Sequence, residues 1–348
     1  MGHFEEKLDI LAGFAAADRR VKIDSLFCLL TPPHLKECFL SIKKSKSPGV
    51  DGMTVERFER NLDRYIGALA RQVHGGRYRP RPMQRFYKKK ESGDKRALNI
   101  VSLRDTIIHT AVKKILEAVY EVEFRDFSFG FRPGRNCARA LEYVESVVNH
   151  RPVHHVIDAD IKSFFDDVDH RLLCQCLARR IGDRRFLGLV QTILNTGFKE
   201  RGQYIPIHQG VPQGMVCSPV LANIFLHHLV DLWVERVVRR HAAGFVGMVR
   251  YGDDFLIFAQ RRDEALAILN ALGRNVKRFG LCLSPEKTRF VDFGPAAPRG
   301  EANTFDFLGY THYNDRDSSG AFCLGKRPKN EGERPALTAA PAGESAKV

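Results

Sequence analysis

Two adjacent acids, Asp253 and Asp254, stand between apolar runs, and few folds tolerate that arrangement. The segment reads Tyr251-Gly252-Asp253-Asp254, with Met248-Val249 before it and Phe255-Leu256-Ile257-Phe258 after it. Such a pattern predicts a buried β-hairpin with the acids at its tip. Neighbouring carboxylates repel, and desolvating them is costly unless a cation compensates. A divalent ion such as Mg²⁺, which prefers hard oxygen donors, is the natural compensator. Gly-Asp alone is ordinary turn chemistry and would read as an exposed turn. The flanking apolar strands, and a second acidic strand upstream, favour the buried reading.

That second strand lies within Val156-Ile157-Asp158-Ala159-Asp160-Ile161-Lys162-Ser163-Phe164-Phe165-Asp166-Asp167-Val168-Asp169-His170. With side chains alternating, Asp158 and Asp160 share one face while Ile157, Ala159 and Ile161 take the other. Solvent is the simpler destination for either acid alone. It becomes less apt if Asp160 meets Asp253 across neighbouring strands. Three acids converging on one point form the ligand set of a two-metal phosphoryl- or nucleotidyl-transfer site.

The chain has 348 residues, enough for two or three lobes. Its 44% apolar and 28% charged residues predict a mostly globular protein. Lys and Arg number 55 against 41 Asp and Glu, a formal charge of +14. This excess suits a polyanionic partner, although a generally basic protein would share it. Eight scattered cysteines include no C-x-x-C pair, so neither a zinc site nor a disulfide framework is expected. Reduced thiols in a cytoplasm fit that pattern. No signal peptide is predicted at the acidic N-terminus. No run approaches the ~20 apolar residues of a membrane helix.

The strands alternate with helices, which predicts a mixed α/β (α+β) lobe. Helices are expected at Thr54–Gln72, Asp105–Tyr120, Asp169–Ile181, Arg185–Asn195, Pro219–Arg240 and Arg262–Phe279. Strands are expected at Val153–Ile161, Lys287–Phe293 and Thr304–Tyr310. Residues 1–43 read as a helical N-terminal extension, and Lys88–Arg96 as a charged hairpin tip. Residues 314–348 are expected to form a polar, disordered tail, since 326–348 hold almost no large apolar side chain.

Several motifs occur in a fixed order: Asp160-Ile161-Lys162-Ser163-Phe164-Phe165-Asp166, Gln209-Gly210-Val211-Pro212-Gln213-Gly214-Met215-Val216-Cys217-Ser218-Pro219, Tyr251-Gly252-Asp253-Asp254, Leu283-Ser284-Pro285-Glu286-Lys287-Thr288 and Phe307-Leu308-Gly309-Tyr310. Together they resemble a reverse transcriptase. Ser47-Pro48-Gly49-Val50-Asp51-Gly52 and Ser128-Phe129-Gly130-Phe131-Arg132-Pro133-Gly134-Arg135 resemble the group II intron branch. Each motif is weak alone; the ordered set, from about residue 44 to 325, is specific.

The resemblance implies a right-hand polymerase fold, with fingers over 44–152 and a palm over 153–313. An antiparallel palm sheet would pack on helices. It implies that Asp160, Asp253 and Asp254, with the Ile161 carbonyl, bind two Mg²⁺ ions, for which Mn²⁺ could substitute. Phe165 matches a steric gate against a ribose 2′-hydroxyl, although a core Phe would look the same. Gln213 and Gly214 match the turn that touches nucleotide and template. Lys90 and Arg96 match a triphosphate clamp, and paired cations suit that task. Lys287 matches a proton donor to pyrophosphate, or is a surface lysine. Arg132 and Arg135, among Phe127, Phe129 and Phe131, suit template binding, unless the rings simply pack. The implied substrates are an RNA template, an RNA or DNA primer, and dNTPs.

The sequence departs from that family in three places. Gly252 stands where intron-type relatives carry Ala, and Ala97-Leu98-Asn99-Ile100 where they tend to carry Pro-Leu-Gly-Ile. No helical thumb is expected after Phe307-Leu308-Gly309, so a separate protein supplying thumb or maturase function is an expected partner. Competing readings are a catalytically weak RNA-binding, maturase-like or defence-associated module, and an RNA-dependent RNA polymerase, whose signature also carries Gly-Asp-Asp.

Overall fold

The computed structural model describes residues 2–89, 95–297 and 303–329. Lys90 lies outside them, and of Arg96 only the backbone is described. Eleven strands occur among the described residues: β1 (Met83–Lys89), β2 (Lys95–Ile100), β3 (His155–Asp160), β4 (Phe198–Glu200), β5 (Gln203–Ile205), β6 (Val246–Tyr251), β7 (Asp254–Ala259), β8 (Arg289–Asp292), β9 (Phe305–Phe307), β10 (Tyr310–Arg316) and β11 (Phe322–Pro328). They form three sheets, ordered β2-β1-β4-β5, β6-β7-β3-β8 and β11-β10-β9. The central sheet β6-β7-β3-β8 is antiparallel throughout.

That sheet is buried on both faces, which explains the unbroken apolar run in β7. One face sends Ile157, Ala159, Phe255 and Ile257 into a large core shared with the helices Leu103–Tyr120, Ser218–Leu226 and Arg262–Arg278. The other sends Val156, Leu256, Phe258 and Val291 into a smaller core. Ala140, Val144 and Val148 of the helix Cys137–His150 close that smaller core, with Phe305 and Phe307. Helix Leu103–Tyr120 starts where the Ser102 hydroxyl accepts from the Asp105 amide, an N-cap that fixes its entry.

Most expected elements are present, with informative shifts. Thr54–Gln72 divides into Val55–Glu59 and Leu62–His74, because Asn61 leaves helical geometry. The helix expected at Pro219–Arg240 contains two π-helical stretches, His227–Asp231 and Val234–Val238. The helix Cys137–His150 and the short hairpin β4–β5 were not foreseen. Residues 314–328 correct the expectation of a disordered tail there. Asp315-Arg316-Asp317-Ser318-Ser319-Gly320 closes a hairpin: Asp317 Oδ1 accepts from Ser319 and Ala321, and Gly320 takes φ +84°. Phe322 and Leu324 then pack on the smaller core. The polar turn hid a strand carrying two apolar anchors. Residues 330–348 lie outside the described residues.

Candidate active site

β3 ends at Asp160 and β7 begins at Asp254, and the register of the sheet pairs these two residues directly. β6 and β7 are joined by Gly252 and Asp253 alone. Gly252 takes φ +67°, at the first turn position, where a type II′ hairpin favours glycine. Asp158, Asp160, Asp253, Asp254, Lys287 and Asp306 line one cavity of about 430 Å³. Parity puts Asp158, Asp160 and Asp254 on the face of the smaller core, at its open end.

The electrostatics are those of crowded acids. Burial pushes the Asp254 carboxyl up to about 7, and Asp158, Asp253 and Asp160 push it the same way against Lys287. Asp158 is pushed up to about 6, chiefly by burial; Arg289 opposes this, and Asp306 and Asp160 add to it. Lys287 Nζ sits 3.2 Å from Asp160 Oδ2. Its position follows from the 282–284 segment lying along the end of β3: Lys162 N donates to the Cys282 carbonyl, and Ser284 N to the Asp160 carbonyl. Ile161 bridges Leu283 in the same run.

Among the described residues, no three His, Cys, Asp or Glu side chains are gathered tightly enough to hold an ion. The convergence expected of Asp160, Asp253 and Asp254 is therefore a shared cavity rather than a formed ligand set. Its chemistry still fits hard cations: the donors are carboxylate oxygens, and burial, with repulsion from the neighbouring acids, raises the Asp254 carboxyl to about 7, a cost that a bound cation would offset.

A buried ion pair holds the hairpin from behind. Arg250 is fully buried in β6 and donates from Nε and Nη2 to the two Asp231 carboxylate oxygens, each at 2.7 Å. Its Nη1 donates to Asn223 Oδ1 at 2.9 Å and to the Gly252 carbonyl at 3.0 Å. Asn223 and Asp231 are eight residues apart, which a regular α-helix would turn about 80° away from each other. The π-helical stretch at His227–Asp231 lets both face Arg250. Sequence reasoning missed this network. Its signals were an arginine inside an apolar strand and an aspartate inside an apolar helix.

The other expected residues divide clearly. Phe165 is half-buried beside Phe164, with ring centroids 5.3 Å apart. The Val211 amide donates to its carbonyl at 2.7 Å, which ties it to the Gln213 turn. The Gln213 carbonyl accepts from the Asn99 amide at 3.1 Å and from Asn99 Nδ2 at 2.9 Å. Gly214 takes φ +110°, and a Cβ there would lie 2.0 Å from the Asn99 carbonyl oxygen, so only glycine fits. Arg96 pairs with Lys88 across the β1–β2 hairpin.

Arg132 is held from several sides. It is buried, its Nε and Nη2 bind Glu121, and its Nη1 donates to the Arg125 and Ser128 carbonyls. It braces its own loop. Arg135 binds Asp126 and lies 5.2 Å over the Phe129 ring.

A family profile described as "Reverse transcriptase (RNA-dependent DNA polymerase)" matches residues 87–312, more than half of the chain. Protein YkfC of Escherichia coli (strain K12) is 36% identical over 233 residues, covering 65% of this chain and 61% of that protein. The group II intron-encoded protein LtrA of Lactococcus lactis subsp. cremoris is 33% identical over 202 residues, covering 58% of this chain and 33% of LtrA. An uncharacterized 91 kDa protein in the cob intron of Schizosaccharomyces pombe is 36% identical over 192 residues, 55% of this chain and 22% of its own length. The chain thus spans less than two thirds of the length of these relatives.

Proposed function

Because the chain belongs to the reverse transcriptase (RNA-dependent DNA polymerase) family, of the group II intron type, we propose that it extends a primer 3′-hydroxyl with dNTPs on an RNA template. The observation that carries this reading is the register of β3 and β7, which sets Asp160 against Asp254 at the mouth of a cavity that Asp253 and Lys287 also line. The assignment of 44–152 as fingers and of 153–313 as palm belongs to the same proposal, with β10 and β11 extending the palm to about residue 328.

Asp160, Asp253 and Asp254, with the Ile161 carbonyl, would hold two Mg²⁺ ions. Bound there, the ions would supply a lowered pKa for the primer hydroxyl and charge neutralisation for the triphosphate. The protein's own groups do the rest. Lys287, 3.2 Å from Asp160, is placed to hold a proton for the leaving pyrophosphate. Phe165 excludes a ribose 2′-hydroxyl. The Gln213–Gly214 turn, clamped by Asn99, orients nucleotide and template. Lys90 and Arg96 grip the triphosphate.

The test is primer extension on an RNA template with Mg²⁺. The expected result is dNTP incorporation that disappears in Asp253→Ala. Extension with NTPs alone would replace this reading with an RNA-dependent RNA polymerase. RNA binding without extension would replace it with a maturase-like binding module.

A further inference from the structure

Phe131 combines three properties that a merely packing side chain has no need of. Its backbone takes φ +60°, a left-handed conformation that is an outlier for a bulky aromatic and persists only where the surroundings impose it. It remains 45% exposed. And it faces the nucleotide pocket: its ring lies edge to face with Phe165, centroids 6.4 Å apart at 83°, and 6.3 Å from the Tyr251 ring.

Its neighbours impose this position. Before it, the Gly130 carbonyl accepts from buried Asn223 Nδ2 at 2.7 Å. Gly130 also presses so closely on the hairpin that a Cβ there would lie 2.3 Å from the Gly252 amide nitrogen. After it, Arg132 is anchored on Glu121 and on two carbonyls. With both flanks pinned, the chain turns through a left-handed residue and carries the ring over the hairpin. A Cβ on Gly252 would lie 2.9 Å from Phe131 Cε2, so the ring occupies the space that glycine leaves free.

We propose that Phe131 is a specificity-determining residue. Its ring backs the Phe165 ring and fixes where that ring stands, so rejection of a ribose 2′-hydroxyl depends on both. Phe164 braces Phe165 from a second direction, which leaves Phe131 as its support on the hairpin side. The proposal rests on the polymerase reading and on Phe165 as the gate.

The experiment measures kcat/KM for a dNTP and for the matching rNTP on a primed RNA template, using the full chain with Mg²⁺. The proteins compared are the unsubstituted protein, Phe131→Ala, Phe131→Gly, Phe131→Tyr, Phe165→Ala and the double variant Phe131→Ala/Phe165→Ala. Loss of one edge-to-face aromatic contact should lower the dNTP-to-rNTP ratio on the order of fivefold in Phe131→Ala and Phe131→Gly. Phe131→Tyr should keep the ratio, and the double variant should match Phe165→Ala alone. Phe131→Gly relieves the left-handed backbone and should melt no lower than Phe131→Ala, which separates selectivity from folding. An unchanged ratio in both Phe131→Ala and Phe131→Gly, or additive effects in the double variant, would overturn the proposal while leaving the polymerase reading intact. If the unsubstituted protein incorporates neither nucleotide, the polymerase reading fails and this proposal fails with it.

Discussion

At residue scale, Gly252 shows how a departure from a family pattern can be a local necessity. It takes φ +67°, and the Phe131 ring fills the space beside it. Gly252→Ala should therefore lower stability by about 1 kcal/mol or more, since both the backbone and the ring must yield; urea unfolding measures it, and an unchanged midpoint would count against this packing. The acids were legible because two carboxylates between apolar runs are hard to explain otherwise. Arg132 was not legible. A cation among aromatics looks the same in a sequence whatever it meets, and nothing there marks Glu121, eleven residues upstream, as the carboxylate it binds. Phe131 could be seen as an aromatic, but the conformation that aims it could not.

At the scale of elements, strands and helices followed from periodicity, whereas irregularities within them did not. The helix beginning at Ser218 reads as continuous because π-helical widening leaves no mark on apolar spacing, yet it brings Asp231 to Arg250. Burial alone would raise the Asp231 carboxyl; Arg250 and His227 outweigh it and hold it at about 2. Its contribution to stability is thus fully present above the ordinary value of 3.8 and is lost as pH falls from there through about 2. Asp231→Asn leaves Arg250 buried without its counter-charge and should cost roughly 3–5 kcal/mol at neutral pH. In urea unfolding, the gap between native protein and variant should narrow as acid is added below the ordinary carboxylate range. A gap of constant size would show that this pair does not lock β6 to the helix.

At the scale of the whole molecule, the central sheet was predictable because each of its strands carries its own signal. Its connection to the β2-β1-β4-β5 sheet was not, because it depends on pairings between distant segments. Among the described strands, β1 and β4 make a parallel pair across more than a hundred residues of chain. On the next strand out, the Asn99 amide and side chain both hold the Gln213 carbonyl, while Arg85 Nε donates to Asn99 Oδ1. The asparagine that stands where relatives tend to carry glycine thus acts as a rivet between the β1–β2 hairpin and the Gln213–Gly214 turn. Strand β2 cannot leave that turn without breaking both bonds to the Gln213 carbonyl, like a jaw whose base is bolted to the anvil. Asn99→Gly removes the side-chain half of the bolt and keeps the backbone amide bond: KM for dNTP should rise more than kcat falls in single-nucleotide kinetics, and an unaltered KM would mean that the side chain does not couple the two parts.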